Sequence, residues 1–179
     1  MPNLAQKSII FAKRMIQNNL NNPAAGSISF FEDDKFWISS RDVLPEDLSV
    51  YDFTIMDLIE NNNTRAALEY PIHKAVYNNS NYKVIIFVKP PYSLGLTMHL
   101  SKKIFPVTDN ERNNLEIPLI STKNHNLEAY AEKAANYALN HPGIIFKGYG
   151  LCTWGDNLET AYKTLSDIES FAKIKHIAR

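Results

Sequence analysis

One cysteine, Cys152, is all the thiol chemistry this chain offers. Intramolecular disulfides, thiolate zinc knuckles and redox dithiol pairs are therefore excluded together. Charge of one sign is also missing. Nineteen Lys and Arg balance nineteen Asp and Glu, so no net field favours DNA, RNA or an anionic membrane. No apolar run approaches the roughly 20 residues that span a bilayer. The start, Met1-Pro2-Asn3-Leu4-Ala5-Gln6-Lys7, lacks a basic region ahead of an apolar stretch. These absences predict a cytoplasmic protein with neither a membrane nor a nucleic acid as partner.

Familiar catalytic signatures are absent as well. There is no Gly-rich phosphate loop ending in Lys-Ser/Thr, no His-Glu-x-x-His and no Gly-x-Ser-x-Gly. Gly148-Tyr149-Gly150 is not a dinucleotide turn, because its third glycine would fall at Thr153. The histidines, at 73, 99, 125, 141 and 176, include no pair at i,i+2 or i,i+4 that would chelate a metal. Isolated histidines read as surface or hydrogen-bonded structural residues. Cys152 lies in an apolar strand with no base nearby in sequence, the setting of a buried neutral thiol.

What is present is a core-forming composition. Of 179 residues, 45% are hydrophobic and 21% charged, enough apolar surface to offset chain entropy in one domain spanning 1–179. Ile9, Ala12, Ile16 and Leu20 recur at helical spacing over 5–20. Runs at 27–31 and 35–39 read as a hairpin about Glu32-Asp33-Asp34, and 51–58 as a weaker strand. Pro71 opens a short helix to about Tyr77, and Lys83 to Val88 is a strand buried on both faces. Residues 126–140 form a helix stopped by His141-Pro142-Gly143. Gly143 to Thr153 is a strand pair or one bent strand. A final helix follows, with Asp156 as cap, Glu159 three positions on, and a stripe of Leu158, Ala161, Leu165, Ile168 and Ala172. Interleaved helices and strands without repeat or linker predict a layered α/β fold.

Three segments together resemble the class II aldolase/adducin family. They are Gly26-Ser27-Ile28-Ser29 before a strand pair, Glu69-Tyr70-Pro71-Ile72-His73-Lys74-Ala75-Val76-Tyr77 before a buried strand, and Gly148 to Ala172. The last carries Gly150-Leu151-Cys152-Thr153-Trp154-Gly155-Asp156-Asn157-Leu158, similar to the family's His-Gly-strand-Gly-Asp-helix ending. Its wording is closest to the methylthioribulose-phosphate dehydratase branch. The order and spacing of the segments fit over nearly the whole chain.

The resemblance implies a three-layer α/β/α sandwich around a mainly antiparallel sheet. It also implies a homo-oligomer, a tetramer or else a dimer, and a small carbonyl or sugar-phosphate ligand. In the family three histidines hold a divalent metal, commonly zinc, that serves as Lewis acid, and a glutamate serves as acid/base. Carried over, the metal positions are Phe87, Lys89 and Tyr149, and the glutamate is Glu69. Phe87 has no donor atom, Lys89 brings a cation, and one phenol does not replace three imidazoles. No cofactor and no metal are therefore expected. Phosphate contacts fall at Gly26, Ser27, Ser39 and Ser40. Ser27 stands for an asparagine, Asp42 for a glycine and Ala67-Leu68 for a serine pair. The pocket residues implied for any chemistry are Glu69, Lys89 and Tyr149.

Three functions stay open. One is a non-catalytic family member with a regulatory or scaffold role, in which Glu69 is a helix-leading glutamate interacting with first-turn N–H groups. Another is a metal-independent lyase whose Lys89 forms a Schiff base with a carbonyl substrate. The remaining one is a lyase with a non-standard metal site built from His73, His99 or His141.

Overall fold

The computed structural model describes residues 3–59, 63–98, 103–104, 116–121 and 126–178. Helix α1 (Asn3–Gln17) leads into strands β1 (Ser27–Glu32) and β2 (Lys35–Ser39). Asp33 and Asp34 turn this hairpin at φ values of 53° and 57°. Two consecutive left-handed residues give the mirror-image turn whose twist matches the flanking strands, and a short acidic side chain tolerates that backbone. A 3-10 turn at Val50–Asp52 precedes β3 (Phe53–Met56).

Then come α2 (Tyr70–Asn79), β4 (Val84–Val88), α3 (Pro91–Thr97), a two-residue β5 (Lys103–Ile104) and β6 (Ile117–Ile120). The chain ends with α4 (Leu127–Ala138), β7 (Gly143–Phe146), β8 (Gly150–Gly155) and α5 (Leu158–Ile177).

The eight described strands form one sheet in the order β3-β2-β1-β4-β8-β7-β6-β5. Of these neighbours, β6 and β7 run parallel and every other pair is antiparallel. Strand alternation divides the interior in two. Val84, Ile86 and Val88 of β4 face a core shared with α1, α3 and α5, whereas Ile85 and Phe87 face a core shared with α2 and α4. The result is the α/β/α sandwich expected from the sequence. All five residues of β4 are buried, as a central strand covered on both faces requires.

Two expectations need correction, and one open alternative is decided. Helix α5 is capped by Asn157, whose side chain accepts from the Thr160 N–H at 2.8 Å, and not by Asp156. The shift follows from backbone geometry, because Asn157 holds the extended conformation of a cap (φ −154°, ψ 170°). Of the two alternatives for 143–153, the strand pair is the one found, β7 with β8. Helix α3 was not anticipated, since Pro90-Pro91 reads as a stop. Pro91 is instead a helix-opening proline, which needs no N–H partner in the first turn.

Candidate functional site

Three chain segments meet at one end of the sheet on the α2/α4 side. Glu69 is the residue before α2, fixed there by Pro in the first turn. Lys89 follows the last residue of β4, and its N–H donates to Asn21 Oδ1 at 2.9 Å. Asn21 in turn donates from Nδ2 to the Ala25 carbonyl at 2.6 Å, tying the loop after α1 to the end of β4. Gly26, at φ +98°, completes this turn, where a Cβ would lie 2.7 Å from both Asn21 Nδ2 and the Phe87 carbonyl oxygen. Tyr149 sits in the β7–β8 turn beside Gly148, and its N–H donates to the Phe146 carbonyl at 2.9 Å.

The side chains converge. The Tyr149 hydroxyl donates to Glu69 Oε1 over a long 3.4 Å. Lys89 Nζ lies over the Tyr149 ring, 5.2 Å from its centroid, a cation–π arrangement. Beneath them, Phe87 packs 5.5 Å from Tyr149 and 6.2 Å from Phe146, while Tyr130 lies 4.4 Å from Phe146 and 5.3 Å from Tyr149. This aromatic floor is closed by Gly150, where a Cβ would overlap the Phe87 ring. Burial, reinforced by the Glu69 carboxylate, pushes the Tyr149 phenol above its ordinary range, so it stays protonated and acts as a donor. Burial and the same carboxylate also raise the Cys152 thiol, which keeps that sulfur a neutral core atom. Glu69, Lys89 and Tyr149 thus come together, with Phe87 as their base.

The donor set does not suit a three-histidine metal site. Phe87 has no lone pair to give, Lys89 is engaged as a cation over a ring, and Tyr149 is a protonated phenol. Among the described residues no three His, Cys, Asp or Glu side chains are grouped so as to hold a metal. His99 and His125 lie outside the described residues. His141 hydrogen-bonds through Nδ1 to the Glu116 carbonyl at 3.0 Å, and His176 packs 5.6 Å from Tyr92.

His73 occupies a buried network that the sequence did not disclose. Its Nε2 is hydrogen-bonded with Ser27 Oγ at 3.0 Å and its Nδ1 with Ser29 Oγ at 2.7 Å, and Ser29 Oγ also bonds the Tyr77 hydroxyl at 2.8 Å. The available signal was the i,i+4 pair His73 and Tyr77 on the apolar face of α2, opposite two serines on alternate positions of β1. Full burial pulls the imidazole down to about 3, far below its unfolded value near 6.5. As pH falls below about 6.5 the unfolded chain takes up this proton first, so stability is flat above that pH and declines down to about 3. The expected slope from this residue is up to about 1.4 kcal/mol per pH unit. Urea unfolding between pH 4 and 8 checks it, and His73→Gln should flatten the profile.

Gly26, Ser27, Ser39 and Ser40 do border one cleft, together with Asn21, Met15 and Leu48. Its lining is mostly apolar, and its cavity of about 10 Å³ has room for about one water. The serine hydroxyls are already engaged. Ser27 bonds His73, Ser39 Oγ accepts from the Ile28 N–H at 3.2 Å, and Ser40 Oγ accepts from the Asp42 N–H at 3.3 Å. Asp42 is exposed and 3.7 Å from Arg41 Nε.

Glu69 departs from the capping role expected of it. Its side chain makes no bond to the first-turn N–H groups of α2. Only 7% of the residue is exposed, so a nearly buried carboxylate has, among the described residues, the long Tyr149 bond as its one side-chain hydrogen bond.

Comparison with known proteins gives these features a context. The family model for the Class II Aldolase and Adducin N-terminal domain matches residues 7–176. No functionally curated protein matches the chain by sequence. Among solved structures, L-fuculose-1-phosphate aldolase from Thermus thermophilus superposes with a TM-score of 0.91 at 21% identity, covering 98% of this chain and 94% of that one. YgbL from Escherichia coli gives 0.88 at 18% identity, covering 98% and 89%. The sugar-phosphate aldolase from Thermotoga maritima gives 0.72 at 14% identity, covering 98% and 96%.

Proposed function

Because the chain belongs to the class II aldolase and adducin family, we propose that it keeps the family's fold and pocket but works without the family's metal, as a non-catalytic member in a regulatory or scaffold role. One observation carries this reading. The positions that the resemblance assigns to metal ligands hold Phe87, Lys89 and Tyr149, and these pack against one another as an aromatic and cationic plug. A cooperative metal site cannot be rebuilt by neighbours when every ligand atom has been replaced. Small sugar phosphates or carbonyl compounds remain the ligands to consider. On this reading the chain works in the cytoplasm as a homo-oligomer, a tetramer or otherwise a dimer. Exposed Tyr51, Ile55, Ile59 and Leu68, on and around edge strand β3, offer apolar surface for such assembly. No helix of the described residues is long and apolar enough to cross a membrane.

A second reading is favoured by the closeness of Lys89, Tyr149 and Glu69, which sets an amine beside a proton donor and a carboxylate. In that reading Lys89 condenses with a carbonyl substrate, releasing water and leaving an imine. One set of samples tests both. Protein purified without chelators is expected to carry far less than one zinc, manganese, cobalt or iron per protomer. Near-stoichiometric metal overturns the metal-free reading. Borohydride trapping with small aldehydes and ketones is expected to leave the mass unchanged, and an adduct lost in Lys89→Ala would establish the lyase instead.

A further inference from the structure

Glu69 and Glu169 are both almost fully buried, and their surroundings differ. Glu169, 5% exposed, accepts from the Tyr92 N–H at 2.8 Å, the Ser93 N–H at 2.8 Å and the Ser93 hydroxyl. It is a satisfied structural carboxylate. Glu69, 7% exposed, has one long bond from a phenol and, among the described residues, no cation within 4 Å. Burying a carboxylate with so few donors costs free energy that packing does not return.

Lys89 presents the complementary shortage. Among the described residues it has no acidic partner, only the face of Tyr149. Lys89 and Tyr149 are half-buried, so the cluster is open at this rim. Tyr149 stands between the two charges, its ring under the ammonium and its hydroxyl on the carboxylate. The site therefore offers a cationic donor at one end and an anionic acceptor at the other.

We propose that Lys89, Tyr149 and Glu69 form a metal-independent binding site for a small hydroxy acid, whose carboxylate pairs with the Lys89 ammonium and whose hydroxyl donates to Glu69. This deepens the metal-free reading above and rests on it. Neither end alone defines the ligand. A simple carboxylate leaves Glu69 without its donor, and a neutral hydroxy compound leaves Lys89 without its anion. Charge-assisted hydrogen bonds at both ends, each stronger than a neutral one, supply the selectivity.

The test is a titration with glycolate, acetate and glycolamide in buffer containing EDTA, followed by the amide NMR signal of Tyr149. Glycolate is expected to bind at least about tenfold more tightly than acetate or glycolamide, the discrimination that one charge-assisted hydrogen bond provides. Lys89→Met should lose glycolate binding and Lys89→Arg should keep it, while Glu69→Gln should erase the preference over acetate. Equal binding of glycolate and acetate by the unaltered protein overturns the proposal. So does glycolate binding that survives Lys89→Met, or a Tyr149 signal indifferent to all three probes. Metal content of the same preparations, read before EDTA is added, separates the two failures. Metal-free protein that ignores glycolate defeats only the hydroxy acid site, whereas metal-loaded protein defeats the reading beneath it.

Discussion

Glu169→Ala is expected to lower the free energy of unfolding by about 4 kcal/mol, because it strands two buried donors and a part-buried third, each costing roughly 1–3 kcal/mol when unpaired. Helix α3 begins at Pro91 after Pro90, neither of which can cap it with a side chain. Its first free N–H groups, those of Tyr92 and Ser93, are instead taken by Glu169 from the middle of α5. One carboxylate thus terminates one helix and fastens it to another, and it brings a negative charge to the positive end of α3. Glu169→Gln keeps an oxygen acceptor and should lose only about half as much. Equilibrium urea unfolding measures both. A loss for Glu169→Ala below about 1 kcal/mol, the value typical of an exposed helix cap, would show that water reaches these donors.

The second large effect is expected at Gly150. Gly150→Ala should cost about 3 kcal/mol, at the upper end of what overpacking a core costs. Its added carbon would overlap the Phe87 ring and lie 3.0 Å from the Val88 carbonyl oxygen. Both of those groups are held by the pairing of β4 with β8, so neither can retreat freely. The same alanine placed in a Phe87→Leu background is expected to cost about 1 kcal/mol, because the obstructing ring edge is gone. The double-mutant cycle reads the coupling directly. Additive losses would show that Phe87 does not fill the space against Gly150, and the plug at the family's metal positions would lose its physical basis.

The parts of the fold that the sequence disclosed are those governed by local periodicity and turn chemistry. The β1–β2 hairpin was legible from paired aspartates between apolar runs, and α4 and α5 from their stripes. Helix α3 was hidden because its cap lies 76 residues away, in Glu169, and a proline pair reads locally as a terminator. Strand β6, with the sequence Ile-Pro-Leu-Ile, was obscured by a proline in a short run near the sheet edge. At the site, resemblance named Glu69, Lys89 and Tyr149, and Lys89 and Glu69 each contact Tyr149. What sequence could not convey was satisfaction. Whether a glutamate before a helix bonds that helix is decided by a side-chain rotation of a few ångströms. Ser27 was carried over as a phosphate contact and Ser29 as part of the same family-like segment, yet both serve a histidine on another layer.

The position of β4 carries a consequence for how the chain comes to be folded at all. Its two neighbours are β1, Ser27–Glu32, and β8, from residues 150–155. Until residues 150–155 have been synthesised, Val84 to Val88 is an uncapped edge of five apolar side chains, the kind of surface that templates association with other chains. Closing the sheet requires bringing together segments more than sixty residues apart, which is slow relative to forming local helices. A nascent chain therefore waits with β4 half-paired, an interval in which an unpaired strand edge is open to aggregation.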